Sequence, residues 1–305
     1  MAVDISRQTT NVLLPPAVSQ EIWKNMQHAS VVQQLVPRIQ IPAGGLDIPI
    51  ITGDPTPEWV GETDEKPVSR PTLGTKYLKA YKMAVIVPFS NEFRRDLSTL
   101  YGALVERLPL TLARKFDRTV LGFESSPGTG FDTLAGVPTV SLTSGEVYDG
   151  YVAALESVAT LTEDGSADVE RWVLSSQAEI AALGAKDKQD RPIFIDSVTA
   201  QGSVSREILA RPVTKTPHVY HPGASEGSVA ATLGFGGQWS SAMWGFVEDL
   251  RVDVSEEATI NDGGTQLNLW QRNMFATRVE FEIGFALRDE NRFVRLTGDV
   301  PSAGS

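Results

Sequence analysis

A mixed α+β fold follows from three features of the chain. One long stretch alternates at period two, a helical stripe begins where that stretch stops, and the last quarter is rich in strands. The alternating stretch is Thr72 to Phe89, in which Leu73, Tyr77, Tyr81, Met83, Val85, Val87 and Phe89 fall on one face. Read as a single strand it would reach roughly 60 Å at about 3.3 Å per residue, whereas a typical strand has about five or six residues. A strand that long outruns the core of its own domain. It is expected to project, and a projecting apolar face needs another surface to lie on.

The elements before it are short. Residues 1–14 are polar and are expected to be extended or mobile. Pro15 and Pro16 open a short helix with Val18, Ile22 and Met26 on one face and Trp23 beside it. Ile39 to Ile51 reads as two short strands turning at Gly44-Gly45. Pro55, Pro57, Pro67 and Pro71 then pre-set an extended backbone that cannot donate to a ladder. With Glu58, Trp59, Glu62, Asp64, Glu65, Lys66 and Arg70 among them, this polar stretch is the outgoing side and tip of the arm.

The long helix follows. Ser90 and Asn91 are N-cap residues, and Glu92 adds negative charge where the helix dipole favours it. Apolar residues recur at Phe93, Leu97, Leu100, Tyr101, Leu104, Leu108, Leu112, Phe116, Val120 and Phe123. From Leu104 the steps are all four, and each overshoots a turn by about 40°, so the stripe winds around the helix toward more than one neighbour. Pro109 removes a helical hydrogen bond and predicts either a kink near Val105 to Leu108 or two shorter helices.

A turn-rich loop covers Gly128 to Gly136, and a second helix covers Glu146 to Leu161 with Val147, Tyr151, Val152, Leu155 and Val158 buried. Trp172 to Leu174 is a short buried strand, and Ser176 caps a helix that Gly184 closes. Residues 197–228, rich in Ser, Thr, Gly and Pro, read as irregular surface structure. Strands then cover Met243 to Val247, Leu250 to Val254, Phe275 to Leu287 and Phe293 to Leu296. Arg278, Glu280 and Glu282 alternate with Val279, Phe281 and Ile283, so one face of the third is wet.

Composition excludes several classes. With 305 residues, 41% hydrophobic and 21% charged, the chain is ordinary globular protein with room for two domains or for one with long excursions. No run of about 18 apolar residues is present, so no membrane partner is expected. The first residues lack the basic and apolar regions of a signal peptide. Zero cysteines exclude disulfides, thiolate metal sites and cysteine nucleophiles. A net charge of -11, from 38 acidic and 27 basic residues, argues against tight phosphate binding, though the chain could lie beside nucleic acid without gripping it.

Patterns that carry chemistry are thin. Gly223-Ala224-Ser225-Glu226-Gly227 matches a nucleophile elbow in composition, but it sits in a turn-rich stretch rather than between a strand and a helix. His218 and His221 are flanked by Pro217 and Pro222, which disfavours a shared metal on one helical turn, and both are expected as solvated loop residues. His28 reads as a capping or solvated residue at a helix end. Asp164, Asp168 and Glu170 lack the spacing of a calcium loop, and Gly234-Phe235-Gly236-Gly237 reads as strand-turn glycine rather than a dinucleotide fingerprint. No catalytic, cofactor-binding or metal-binding residue is assigned. Trp59 beside the acidic tip, and Trp239, Trp244 and Trp270 late in the chain, point instead to core or interface.

The order of these motifs resembles the major capsid proteins of tailed bacteriophages with the Hong Kong 97-type fold. The resemblance is carried by Pro16 and the short helix ending near Ala29-Ser30-Val31-Val32, by Ile48-Pro49 before Glu58-Trp59-Val60-Gly61-Glu62, by Lys79 to Phe89, and by Ser90-Asn91-Glu92 opening the long helix. Ala182-Leu183, Lys186-Asp187, Arg191 to Phe194, Ile208 to Val213, and Asn273 to Leu296 are similar to later segments of that family.

The resemblance implies an N-terminal arm over residues 1–50, an extended β-hairpin loop over 51–88, and a peripheral domain with its spine helix over 89–144. An axial domain would cover 145–228, and 229–305 would return to the peripheral domain. It implies an icosahedral shell of hexamers and pentamers around double-stranded DNA, contacted non-specifically. A scaffold protein, a portal and, as an option, a decoration protein would be the partners, with assembly in the host cytoplasm. Trp59, Glu62, Lys66, Arg70, Tyr77, Lys79 and Tyr81 would make the contacts between subunits, and Phe93, Leu97, Leu104, Leu108, Leu112 and Phe116 would form the core of the spine helix. The chain has no long charged helical prefix of the kind some members cleave, which implies a separate scaffold or prior processing. Some members join a Lys of the extended loop to an Asn of a neighbour. Nothing pairs Lys66, Lys76, Lys79 or Lys82 with Asn268, Asn273 or Asn291, so these are expected to be solvated lysines. On the same fold, an encapsulin-type compartment is the alternative, disfavoured by the fourteen residues before Pro15. A serine hydrolase using Ser225 with a histidine is the reading from another class.

Overall fold

A computed structural model describes residues 30–53, 55–62, 65–91, 97–162, 167–183, 185, 195–198, 204–223, 230–248 and 250–298. The expected helix opened by Pro15 and Pro16, with His28 at its end, lies outside these residues, as do Phe93, Asp164, Lys186-Asp187, Arg191 to Phe194 and Ser225. In chain order the first elements are α1 (Val31–Leu35), β1 (Arg38–Gln40), β2 (Leu46–Gly53), β3 (Thr72–Leu78), β4 (Tyr81–Ser90) and α2 (Leu97–Val120). They are followed by β5 (Thr139–Ser141), α3 (Val147–Leu161), β6 (Arg171–Leu174), α4 (Ser176–Leu183), β7 (Ile195–Val198), β8 (Val204–Ile208) and β9 (Arg211–Lys215). The last are β10 (Ala231–Gly237), β11 (Ala242–Phe246), β12 (Arg251–Ser255), β13 (Thr259–Asp262), β14 (Thr265–Asn268), β15 (Met274–Leu287) and β16 (Phe293–Gly298).

Two sheets and one helix build the body. A five-stranded sheet runs β1-β11-β15-β12, with β4 paired to β15 off that path; a seven-stranded sheet runs β5-β16-β10-β6-β9-β8-β7. The C-terminal half of α2 lies in the core that both sheets share. Leu112, Phe116 and Val120 of the helix are buried there with Phe281 and Phe285 of β15, Phe235 of β10 and Phe293 of β16. The predicted fourfold stripe is therefore met by residues from several elements. The opposite face of the seven-stranded sheet carries Trp172, Leu174, Val294 and Leu296, which α3 and α4 cover through Tyr151, Ala154, Val158 and Ala178. Helix α2 runs continuously through Pro109, so the alternative of two shorter helices is excluded. No helix among the described residues is long and apolar enough to cross a membrane.

Several sequence expectations need correction. Thr72 to Phe89 is two strands, not one: Lys79-Ala80 separates β3 from β4. The second half does not project, because β4 pairs with β15 over ten residues from Met274↔Ser90 to Ile283↔Tyr81. The apolar face changes sides at the break. Tyr81, Met83, Val85, Val87 and Phe89 pack on the main core, whereas in β3 Leu73 and Tyr77 are exposed and Leu78 is fully buried. The two strands between Ile39 and Ile51 exist but do not form a hairpin: β1 pairs in parallel with β11, and β2 pairs with β3.

Residues 197–228 are not irregular throughout. β8 and β9 form a hairpin whose two linking residues, Leu209 and Ala210, have φ of 52° and 59°. Both central residues of a two-residue hairpin of the primed type need positive φ, and here they lack the usual Asn-Gly chemistry. The cap of α4 is Ser175, whose hydroxyl accepts the Ala178 N–H at 3.3 Å, rather than Ser176. Strand β10 carries the glycines expected at a turn. A Cβ at Gly236 would lie 2.3 Å from the ring of Trp172, so glycine is what lets this buried central strand sit under the tryptophan.

Candidate functional site

The seven residues expected to contact a neighbour divide into two groups. Trp59, Glu62, Lys66 and Arg70 are exposed on the loop between β2 and β3. That loop is closed across its base by the Thr56 N–H, which donates to Ser69 Oγ at 2.9 Å. Trp59, Val60 and Val68 present apolar surface there, and Leu73 and Tyr77 continue it down β3. Five apolar side chains on one excursion form a patch rather than scattered exposure. Beyond it, Trp270 is also exposed, while Trp239 and Trp244 are core residues.

The second group, Tyr77, Lys79 and Tyr81, sits where the hairpin joins the body. The Tyr77 hydroxyl donates to the Gly44 carbonyl at 2.7 Å, and the Tyr81 hydroxyl donates to the Thr129 carbonyl at 2.8 Å. The Lys79 ammonium lies 5.3 Å from the Tyr81 ring centroid. The lysines taken as solvated are more engaged than expected. Lys76 Nζ is 2.9 Å from Asp132 Oδ2, and Lys82 lies 3.5 Å from Glu282 and 4.0 Å from Glu280. Lys66 is exposed. Among the spine-helix residues, Leu112 and Phe116 are buried; Leu97, Leu104 and Leu108 lie on α2, but their side chains fall outside the described set.

Sequence reasoning missed a buried polar hub. Asp117, on α2, is fully buried and accepts from Ser30 Oγ at 2.6 Å, from the Val31 N–H at 3.1 Å and from the Val32 N–H at 3.4 Å. His218 Nδ1 lies 2.9 Å from its other side, so the tautomer protonated at Nδ1 donates to it. His218 is therefore not a solvated loop residue. His221 is held too: its backbone bridges to Thr232 and its ring stacks on Phe123 at 4.9 Å. Asp117 was hidden in the apolar stripe, one residue beyond Phe116, and no local pattern marks partners 87 and 101 residues away. The acidic loop is also occupied by the chain itself. Asp168 takes the Arg211 guanidinium at 2.8 Å, and the Ser240 N–H donates to Glu170 at 3.0 Å.

Among the described residues, the arrangement presents an exposed apolar excursion seated on a braced body. An exposed apolar patch of this kind is the surface of an interaction module rather than of a solvated loop. The model of the Phage capsid family matches residues 10–298. The probable major capsid protein gp17 of Mycobacterium phage D29 is 30% identical over 308 residues, covering 95% of this chain and 92% of the relative. The corresponding protein of Mycobacterium phage L5 is 31% identical over 306 residues, covering 93% and 89%. Among solved structures, that of Microbacterium phage Oxtober96 superposes with a TM-score of 0.70 at 23% identity, covering 88% of this chain and 91% of the other. The chain belongs to the phage capsid family, and its role is that of a major capsid protein, a structural component of the virion. The family is a structural one and not an enzyme family.

Proposed function

We propose that this subunit assembles as hexamers and pentamers into an icosahedral shell that encloses double-stranded DNA, with the Hong Kong 97-type division of labour among its parts. The observation that carries the reading is the β2–β3 excursion. Its loop leaves Trp59, Val60 and Val68 uncovered, with Glu62, Lys66 and Arg70 around them. Covering one tryptophan removes roughly 200 Å² from water, worth about 5 kcal/mol before ordering costs at about 25 cal/mol/Å². An adjacent copy supplies that cover, and the mixed charges set its register. The arm then comprises residues up to Lys79-Ala80, and the peripheral domain begins at Tyr81, because β4 belongs to the sheet of the body.

Residues 89–144 and 229–305 complete the peripheral domain, and 145–228 form the axial domain. A chain with net charge -11 encloses DNA without gripping it, contacting it non-specifically. A scaffold protein, a portal and an optional decoration protein complete the assembly, which takes place in the host cytoplasm. The test replaces residues 55–70 with a short Gly-Ser linker. Circular dichroism should show a folded subunit, and electron microscopy should show no closed particles; normal shells from this variant refute the reading.

A further inference from the structure

Among the described residues β2 and β3 pair only with each other, and a two-stranded hairpin alone is marginal in water. Below it, β4 is fixed by its ladder to β15. Between the two, Lys79-Ala80 belongs to neither strand. The angle at which the hairpin leaves the body must therefore be set by contacts at this joint. Apolar contacts come from the body sheet, where Leu46, Ile48 and Leu78 pack with Ile41, Met243, Val247 and Ala286, and polar contacts come from residues 128–132, in the loop after α2. The Lys79 N–H donates to the Gly130 carbonyl at 2.9 Å, and the Tyr81 hydroxyl donates to the neighbouring Thr129 carbonyl at 2.8 Å. A Cβ on Gly130, whose φ is +83°, would lie 2.8 Å from Tyr77 Cδ1 and 3.2 Å from Lys79 Cβ, so the backbone of the loop is the surface on which the joint rests. Asp132 then ties this seat to the body. Its N–H donates to the Phe285 carbonyl at 2.9 Å, while its Oδ2 accepts from the Leu287 N–H at 2.9 Å and pairs with Lys76 at 2.9 Å.

We propose that residues 128–132 form the polar seat that, together with this apolar contact, fixes the departure angle of the hairpin, making Gly130 and Asp132 positioning residues for the contact between subunits. The inference rests on the capsid reading for its consequence but not for its mechanics. Because Gly130→Ala introduces both a clash and a disfavoured φ, a second variant, K76M/Y81F, removes only the two side-chain ties, from Lys76 to Asp132 and from Tyr81 to Thr129. The readouts are amide hydrogen exchange in the full-length unassembled subunit and electron microscopy of assembled particles. Exchange over residues 72–80 should rise about tenfold in either variant, the loss of one or two net hydrogen bonds, while residues 81–90 stay protected by β15. Particles should become irregular or open. Unchanged exchange overturns the seat, and faster exchange with normal shells overturns its positioning role. A wild type that never forms shells overturns the capsid reading, while the exchange data still decide the seat.

Discussion

Replacing Asp117 with alanine gives the most direct test of how the body is held together. The change removes one acceptor group from a site with no exposure to water and leaves four donors facing it: the Ser30 hydroxyl, the Val31 and Val32 N–H groups and His218 Nδ1–H. Each buried donor left unpaired costs about 1–3 kcal/mol. The bond from Val32, at 3.4 Å, is long, and the surroundings relax in part, so the lower end of the range applies to each donor. The expected loss is roughly 4 kcal/mol, which is large for a single substitution. For a 305-residue chain melting as one unit, with an entropy of about 2.1 cal/mol/K per residue, that loss lowers Tm by about 6 °C. Ser30→Ala or His218→Ala alone removes one donor and should cost about 1–2 kcal/mol. Each should cost much less in the Asp117→Ala background, since the partner is already gone. Thermal unfolding of the unassembled subunit, followed by circular dichroism, measures all five variants. An Asp117→Ala protein that melts within about 1 °C of wild type, or single costs that simply add, would refute the hub.

Three further outcomes follow from local geometry. Gly236→Ala places a Cβ against the fully buried Trp172 ring and should destabilise by about 1–3 kcal/mol, with altered near-ultraviolet dichroism from the tryptophan. Among the described residues the Tyr151 hydroxyl is buried without a hydrogen-bond partner, and burial pushes its pKa upward. Tyr151→Phe should therefore leave stability unchanged or raise it by about 1 kcal/mol in urea titration, and a clear loss would show that the hydroxyl has a partner. For Asp253, desolvation raises the pKa, but hydrogen bonds and charge from Arg278 and Arg251 outweigh it and hold the carboxyl below its usual range. A depressed folded pKa stabilises above the unfolded value and ceases to as pH falls through the folded one. Asp253→Asn should thus be less stable than wild type at neutral pH by a small, salt-sensitive margin that closes in acid.

Legibility in the sequence tracked how local the cause of each feature was. The period-two face of Tyr81 to Phe89, the stripe through Leu112, Phe116 and Val120, and α3 were all readable, because one side of each faces a continuous core. The break at Lys79-Ala80 is not, since the apolar alternation in the sequence carries on through it while the partner strand, from β2 to β15, and the buried side both change. Gly234 to Gly237 read as strand-turn glycine because they owe their place in β10 to Leu174, Trp172 and Phe293 on neighbouring strands, which no window around them contains. The Leu209-Ala210 turn was invisible for a related reason: its left-handed backbone is imposed by the β8–β9 pairing against the preference of both residues. The exposed loop from Trp59 to Arg70 is legible in composition, whereas Asp132 and the loop carbonyls beneath the hairpin are not.

The direct passage from the hairpin into β4 has a mechanical meaning. The component of a tug that runs along β4 is borne by the ten residue pairs with β15 in shear and together. A sideways tug would unzip them one after another. The rigidity of a shell stitched from such subunits would then depend on the direction of strain as well as on the number of contacts between copies.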